Sequence, residues 1–168
     1  FHFHHFSSAA HCIFPKYGKR TRARDITVLL GVHDLENSHE MKRESVVPRQ
    51  IFIHPDYNPF VNSFDADIAM LEFEEPFTFN AHIRPICLWN FNEEPIETIA
   101  TVVGYGKSED ETKLHETLPK ELEVPIHSNE DCLFKIPKFA EISSPRTFCA
   151  GSNDGTGPCL GKQHLVCS

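Results

Sequence analysis

The stretch FDADIAMLEF, residues 64–73, decides the fold. From Asp67 onward it is almost unbroken apolar chain: Ile68, Ala69, Met70 and Leu71, then Phe73 after a single Glu72. A short apolar run of this kind reads as a buried strand. Asp67 enters the run at its N-terminal end, and a carboxylate carried towards a core is costly unless something pairs with it. Working outward, ITVLLGVH (residues 26–33) reads as a second strand, and VVPRQIFIH (46–54) as another, broken by Pro48. ETIATVVGYG (97–106) and ELEVPIH (121–127) continue the pattern, the latter alternating apolar and polar side chains at its start. Short strands punctuated by 12 prolines and 8 glycines predict an all-β barrel or sandwich. One short helix is expected: Ser128 caps it, Asp131 lies three residues on, and Cys132, Leu133 and Ile136 follow before Pro137 stops it.

Length and charge narrow the function classes. A chain of 168 residues suits one domain, or two small lobes sharing a core. With 40% hydrophobic and 24% charged residues, the composition is that of a globular domain, and no apolar run approaches the roughly 20 residues that span a bilayer. The 16 basic against 24 acidic residues leave a net charge of −8, a poor match to nucleic acid, whose phosphates need a basic face. Neither a nucleic-acid nor a membrane partner is expected. The segment KYGKRTRAR (16–24) gathers Lys16, Lys19, Arg20, Arg22 and Arg24, and is read as a solvated loop in preference to a heparin-like or partner-binding patch.

The carboxylate of Asp67 asks for a partner, and SSAAHC (7–12) offers one in His11. A histidine base oriented by a buried carboxylate, which also stabilises its imidazolium, is the general arrangement for nucleophilic acyl transfer. Competing chemistries lack their residues. Along a strand His2 and His4 would face one way and His5 and His11 the other, so these histidines make no metal cluster. His39-Glu40 and His115-Glu116 each lack the second histidine of a zinc protease motif. The pairs Gly104/Gly106 and Gly155/Gly157 lack the third glycine of a dinucleotide loop. No metal and no cofactor is expected. The 6 cysteines (Cys12, Cys87, Cys132, Cys149, Cys159 and Cys167) contain no CxxC, and their spacing fits either disulfides or buried free thiols.

Taken together, these strings resemble the chymotrypsin/trypsin family of secreted serine endopeptidases. AAHC matches the segment around that family's catalytic histidine, and DIAML the segment around its aspartate. IHPDYN (53–58), IRPICL (83–88), VVGYG (102–106), VPIHSNEDC (124–132), FCAG (148–151) and GTGPCLG (155–161) follow in the family's order. The likeness runs from residue 7 to residue 161 and is greatest to invertebrate members of extracellular cascades. It implies a double antiparallel β-barrel, with the first barrel in about residues 1–90 and part of the second in about 91–168. His11 would be general base and acid, Asp67 its orienting partner, and Cys132 would be bonded to Cys149. It also tips the cysteines towards disulfides and the protein towards secretion, with protein or peptide substrates and, as further partners, other cascade proteases or inhibitors.

The resemblance breaks at the nucleophile. After Gly161, which could offer one oxyanion-hole amide, the family continues Asp-Ser-Gly-Gly; here Lys162 stands at the aspartate and Gln163 at the serine. An amide cannot be activated as a nucleophile. Lys162 would repel the new N-terminal ammonium that the family's aspartate receives on activation. Gly157, at the base of the specificity pocket, is uncharged and argues against a strict basic preference. In GVHDLENSHE (31–40), Val32 stands where calcium-binding members carry glutamate, so a plain surface loop is expected. The first strands and the C-terminal half of the second barrel are expected to be missing, making this a fragment. Cys12, Cys87 and Cys159 would then lack their family partners, and Cys167 has no counterpart. The expectation is a serine endopeptidase domain, inactive as given; the alternative is a non-catalytic homologue that binds or regulates within a protease cascade.

Overall fold

Alternation of side chains organises the first half of the molecule. The computed structural model describes residues 4–41, 43–61, 63–88, 98–105 and 117–152. In strand β5, Ala69–Glu72, Ala69 and Leu71 are each 2% exposed while Met70 between them points outward, because successive residues of a strand face opposite ways. β5 is the centre of a three-stranded antiparallel sheet, flanked by β1 (His5–Ser8) and β4 (Gln50–Ile53). The register sets Ser8 opposite Ala69 and Ile51 opposite Leu71. A second pair, β2 (Val28–Leu30) with β3 (Glu44–Val46), closes over the same apolar face. Ile13, Val28, Leu30, Ile51, Leu71 and Phe73 meet there as one core. Burying a side chain such as Leu71 contributes about 1.5–3 kcal/mol.

The second half is built on β7. β6 (Ile99–Gly104) runs antiparallel to β7 (Lys120–His127), from Ile99 opposite Pro125 to Gly104 opposite Lys120. The short β8 (Cys149–Ala150) pairs with the other edge of β7. Pro125 has no N–H to donate, but its carbonyl accepts from the Gly151 amide at 3.0 Å. The expected helix is present as Asn129–Lys135. Ser128 caps it, accepting the Asp131 amide at 3.1 Å and donating its hydroxyl to the Asp131 carboxylate at 2.8 Å. Pro137 then opens a 3₁₀ turn, Pro137–Glu141.

Two features differ from the expectation. The run 46–54 is not one interrupted strand: β3 ends at Val46 and β4 begins at Gln50, and the two belong to different sheets. Pro48 therefore marks a change of sheet. The histidine-rich opening, to which the sequence assigns no element, supplies β1, whose pairing partner lies more than 60 residues away in β5. Among the described residues the fold is mainly antiparallel β, in open sheets that do not close into a ring. No helix among them is long and apolar enough to cross a membrane.

Candidate active site

The site begins where β1 and β5 stop pairing. Ser8 lies opposite Ala69, so the residues after β1 and those before β5 leave the sheet side by side. After β1 the chain makes a single helical turn, Ala10–Ile13 (α1). Its cap residue is Ala9, which has no side-chain acceptor for the free amides at the start of the turn. Asp67 supplies the acceptor from across the sheet. Its Oδ1 accepts the His11 amide at 2.8 Å, and the Ala10 amide also turns towards the carboxylate. The other oxygen, Oδ2, accepts from the Nδ1 of the His11 ring at 2.5 Å. One carboxylate thus caps a helical turn and holds a ring carried on that turn.

Asp67 reaches this position through an unusual turn. Ala66 is buried and has φ of 54°, a left-handed conformation that costs a non-glycine residue about 1–2 kcal/mol. The turn is closed by the Asp67 amide on the Phe64 carbonyl at 3.3 Å and the Ile68 amide on the Ala66 carbonyl at 2.7 Å.

The side chains of His11 and Asp67 are 14% and 12% exposed. A carboxylate can only accept, so the ring proton of the neutral imidazole lies on Nδ1 and Nε2 keeps its lone pair. Nε2 is enclosed and has no hydrogen-bond partner among the described residues. The bond from Asp67, with a smaller contribution from the neighbouring Cys12 thiol, raises His11 above its ordinary value, although burial opposes the shift. Burial pushes Asp67 up, but the His11 ring and the His11 and Ala10 amides outweigh it and leave the carboxyl below its ordinary value. Phe64 meets the imidazole edge-on, with ring centres 6.2 Å apart. A cleft of about 260 Å³ opens beside the ring, lined by His11, Pro15, Lys16, Tyr57, Pro59 and Phe64. The Tyr57 hydroxyl donates to the Phe14 carbonyl at 3.1 Å and pins this wall to the end of α1.

The other expected positions divide into those described and those not. Cys132 and Cys149 are bonded to each other. Cys12 and Cys87 are exposed free thiols. Gly157, Cys159, Gly161, Lys162, Gln163 and Cys167 lie outside the described residues. In the loop 31–40, both Glu40 oxygens accept backbone amides, those of His33 and Asp34, each at 2.9 Å. Among the described residues, the His, Cys, Asp and Glu side chains form no group able to hold a metal ion. The basic segment is partly satisfied internally: Arg22 pairs with Asp25, and Arg20 donates to the Ile51 carbonyl at 3.2 Å. Arg20, Arg22 and Arg49 line a separate surface concavity of about 370 Å³.

Sequence reasoning missed Tyr57 and Phe64 as walls of the cleft, although Tyr57 lies in IHPDYN and Phe64 stands three residues before DIAML. It missed Arg146 altogether. This arginine reaches Asp65 and Asp56, 81 and 90 residues away, and no local signal could have announced the contact.

Comparison with known proteins identifies the family. The family model described as Trypsin matches residues 2–162. The chain is 33% identical to "Serine protease gd" of Drosophila melanogaster, over 86% of this chain and 30% of that protein. It is 31% identical to "Coagulation factor IX" of Cavia porcellus, over 88% of this chain and 49% of that protein. It is 28% identical to "Clotting factor G beta subunit" of Tachypleus tridentatus, over 88% of this chain and 48% of that protein. The chain therefore spans from 30% to 49% of the length of these relatives. The match extends over nearly all of the sequence and takes in His11, Asp67 and the bonded cysteines: the chain belongs to the trypsin family of serine proteases.

Proposed function

We propose that this chain is a secreted serine endopeptidase domain, of the double-barrel type, whose nucleophile motif is missing as the sequence stands. The observation that carries the reading is the His11–Asp67 pair. With Asp67 holding the proton on Nδ1, Nε2 is free to take a proton from an attacking hydroxyl, and the carboxylate stabilises the imidazolium that results. The same nitrogen then returns the proton to the departing amine. His11 is general base and acid, and Asp67 orients it. The Gly161 amide contributes to the oxyanion hole, and Gly157, at the pocket base, favours apolar or small side chains over basic ones. Gln163 occupies the serine position, so this chain does not itself form an acyl-enzyme.

The clotting names of two relatives support a place in an extracellular cascade, with protein substrates and with other cascade proteases or inhibitors as partners. A second reading is favoured by the combination of Lys162 and Gln163: a non-catalytic homologue that binds substrates or proteases without cleaving them. A fluorophosphonate probe tests the choice. The 168-residue chain is expected to stay unlabelled, while the native protein that carries it is labelled on a serine, and labelling disappears in His11→Ala. Silence from a correctly folded native protein would reject the endopeptidase reading in favour of binding.

A further inference from the structure

We infer that Arg146 is a positioning residue for the His11–Asp67 pair, fastening the turn that carries Asp67 to the second half of the molecule. The inference deepens the proposed reading and rests on the roles given there to His11 and Asp67. Three bonds define the contact. Arg146 Nε donates to Asp65 Oδ1 at 2.9 Å, and one terminal nitrogen, Nη2, donates to Asp65 Oδ2 at 2.5 Å, forming a two-pronged grip. The other, Nη1, donates to Asp56 Oδ2 at 2.6 Å. A planar guanidinium facing a carboxylate in this manner fixes direction as well as distance, which a lysine ammonium does not.

The two aspartates sit at opposite ends of the loop that forms one wall of the cleft. Asp56 precedes Tyr57 and Pro59, and Asp65 follows Phe64, all three lining residues. Asp65 is also the residue before Ala66, whose left-handed backbone directs Asp67 at His11. A strained conformation persists only where its surroundings hold it, and Arg146 holds the residue beside it.

Arg146 is itself anchored. It occupies the third place of the turn Ser144–Pro145–Arg146–Thr147, in which the Thr147 amide bonds the Ser144 carbonyl at 3.1 Å. Serine first and proline second are the favoured residues of such a turn. The Thr147 hydroxyl accepts the Ser144 amide at 2.8 Å and donates to the Ser144 carbonyl at 2.9 Å. Asn129 donates to the Thr147 carbonyl at 3.1 Å, and the Cys132–Cys149 bond closes the segment. The guanidinium therefore projects from a braced turn onto the one loop that must not shift if Asp67 is to stay in place.

The test reads the His11 titration by ring NMR in the intact chain, comparing Arg146→Lys and Arg146→Gln with the parent. The groups facing His11 are Asp67, Cys12, Tyr57 and Lys16, and all are unchanged in these variants. If the grip positions Asp67, both variants lower the His11 midpoint, by about one pH unit, as the bond to the carboxylate loosens. A charge effect alone has the opposite signature: Lys leaves the midpoint unchanged, and Gln raises it by uncovering Asp56 and Asp65. Either of those results overturns the inference. Hydrogen exchange supplies a second readout. The His11 amide, which bonds Asp67, should exchange at least about tenfold faster in Arg146→Lys, with β6 and β7 amides unaffected. Equal acceleration everywhere marks a general brace and also overturns it. No turnover is measured, so failure here leaves the endopeptidase reading intact, and failure of probe labelling leaves this result intact.

Discussion

Replacing Asp67 by asparagine should cost stability in a way that depends on pH, and the geometry sets both the size and the sign. Asparagine keeps one acceptor, so the bond from the His11 amide, 2.8 Å in the parent, survives. Its NH₂ then faces Nδ1–H, two donors opposed, where the parent has a bond of 2.5 Å to a charged oxygen. Losing a hydrogen bond to a charged group costs about 1.5–3 kcal/mol, and solvent screening of this partly open pair moves the estimate towards the lower half of that range. The expected loss is about 2 kcal/mol at pH 6. His11 is raised in the folded state, so its contribution is full below its unfolded value of 6.5 and fades as pH climbs through the raised value. Asp67 is lowered, so its contribution is present above its unfolded value of 3.8 and fades as pH falls through the lowered value. The pair therefore stabilises most between these two unfolded values, and the penalty of Asp67→Asn should peak there and shrink in alkaline solution. Urea unfolding of both proteins at pH 6 and across an alkaline series measures the difference. Equal stability at pH 6, or a penalty that does not shrink as pH rises, would refute the reasoning.

Other perturbations give plain expectations. Leu71→Ala, at a side chain 2% exposed in the centre of the core, should lower unfolding free energy by about 2–5 kcal/mol in a denaturant titration. Ser128→Ala removes the cap of the Asn129–Lys135 helix and should cost about 1 kcal/mol, with Ser128→Asp restoring most of it. Reducing the Cys132–Cys149 bond, which joins residues 17 apart, should lower stability by about 3 kcal/mol, read as a shift in urea midpoint with and without reductant.

What the sequence could disclose was local or compositional. The apolar run after Asp67 reads as a buried strand because period-two burial leaves its trace in residue order, and the helix after Ser128 is announced by its own cap. A carboxylate entering a core needs a partner, and it is the resemblance of AAHC and DIAML to the family's segments that names His11 as the partner of Asp67. What stayed hidden was long-range. β1 looks like histidine-rich noise until β5 is laid beside it, and β3 and β4 look like one strand until their partners prove different. The left-handed Ala66 could not be foreseen, since alanine disfavours that conformation and only surrounding contacts impose it. Arg146 is an ordinary surface arginine in sequence, and its importance lies wholly in two aspartates brought to it by folding.

The double service of Asp67 has an evolutionary consequence. Because the same carboxylate closes the first turn of α1 and grips the His11 ring, a lineage that stops cleaving peptides is still selected to retain it, for the sake of folding alone. Within such a scaffold, a side chain that also holds up the backbone is kept by the fold as well as by the chemistry. An intact histidine–aspartate pair is therefore a record of how this part of the chain folds, and does not by itself report that peptides are cleaved.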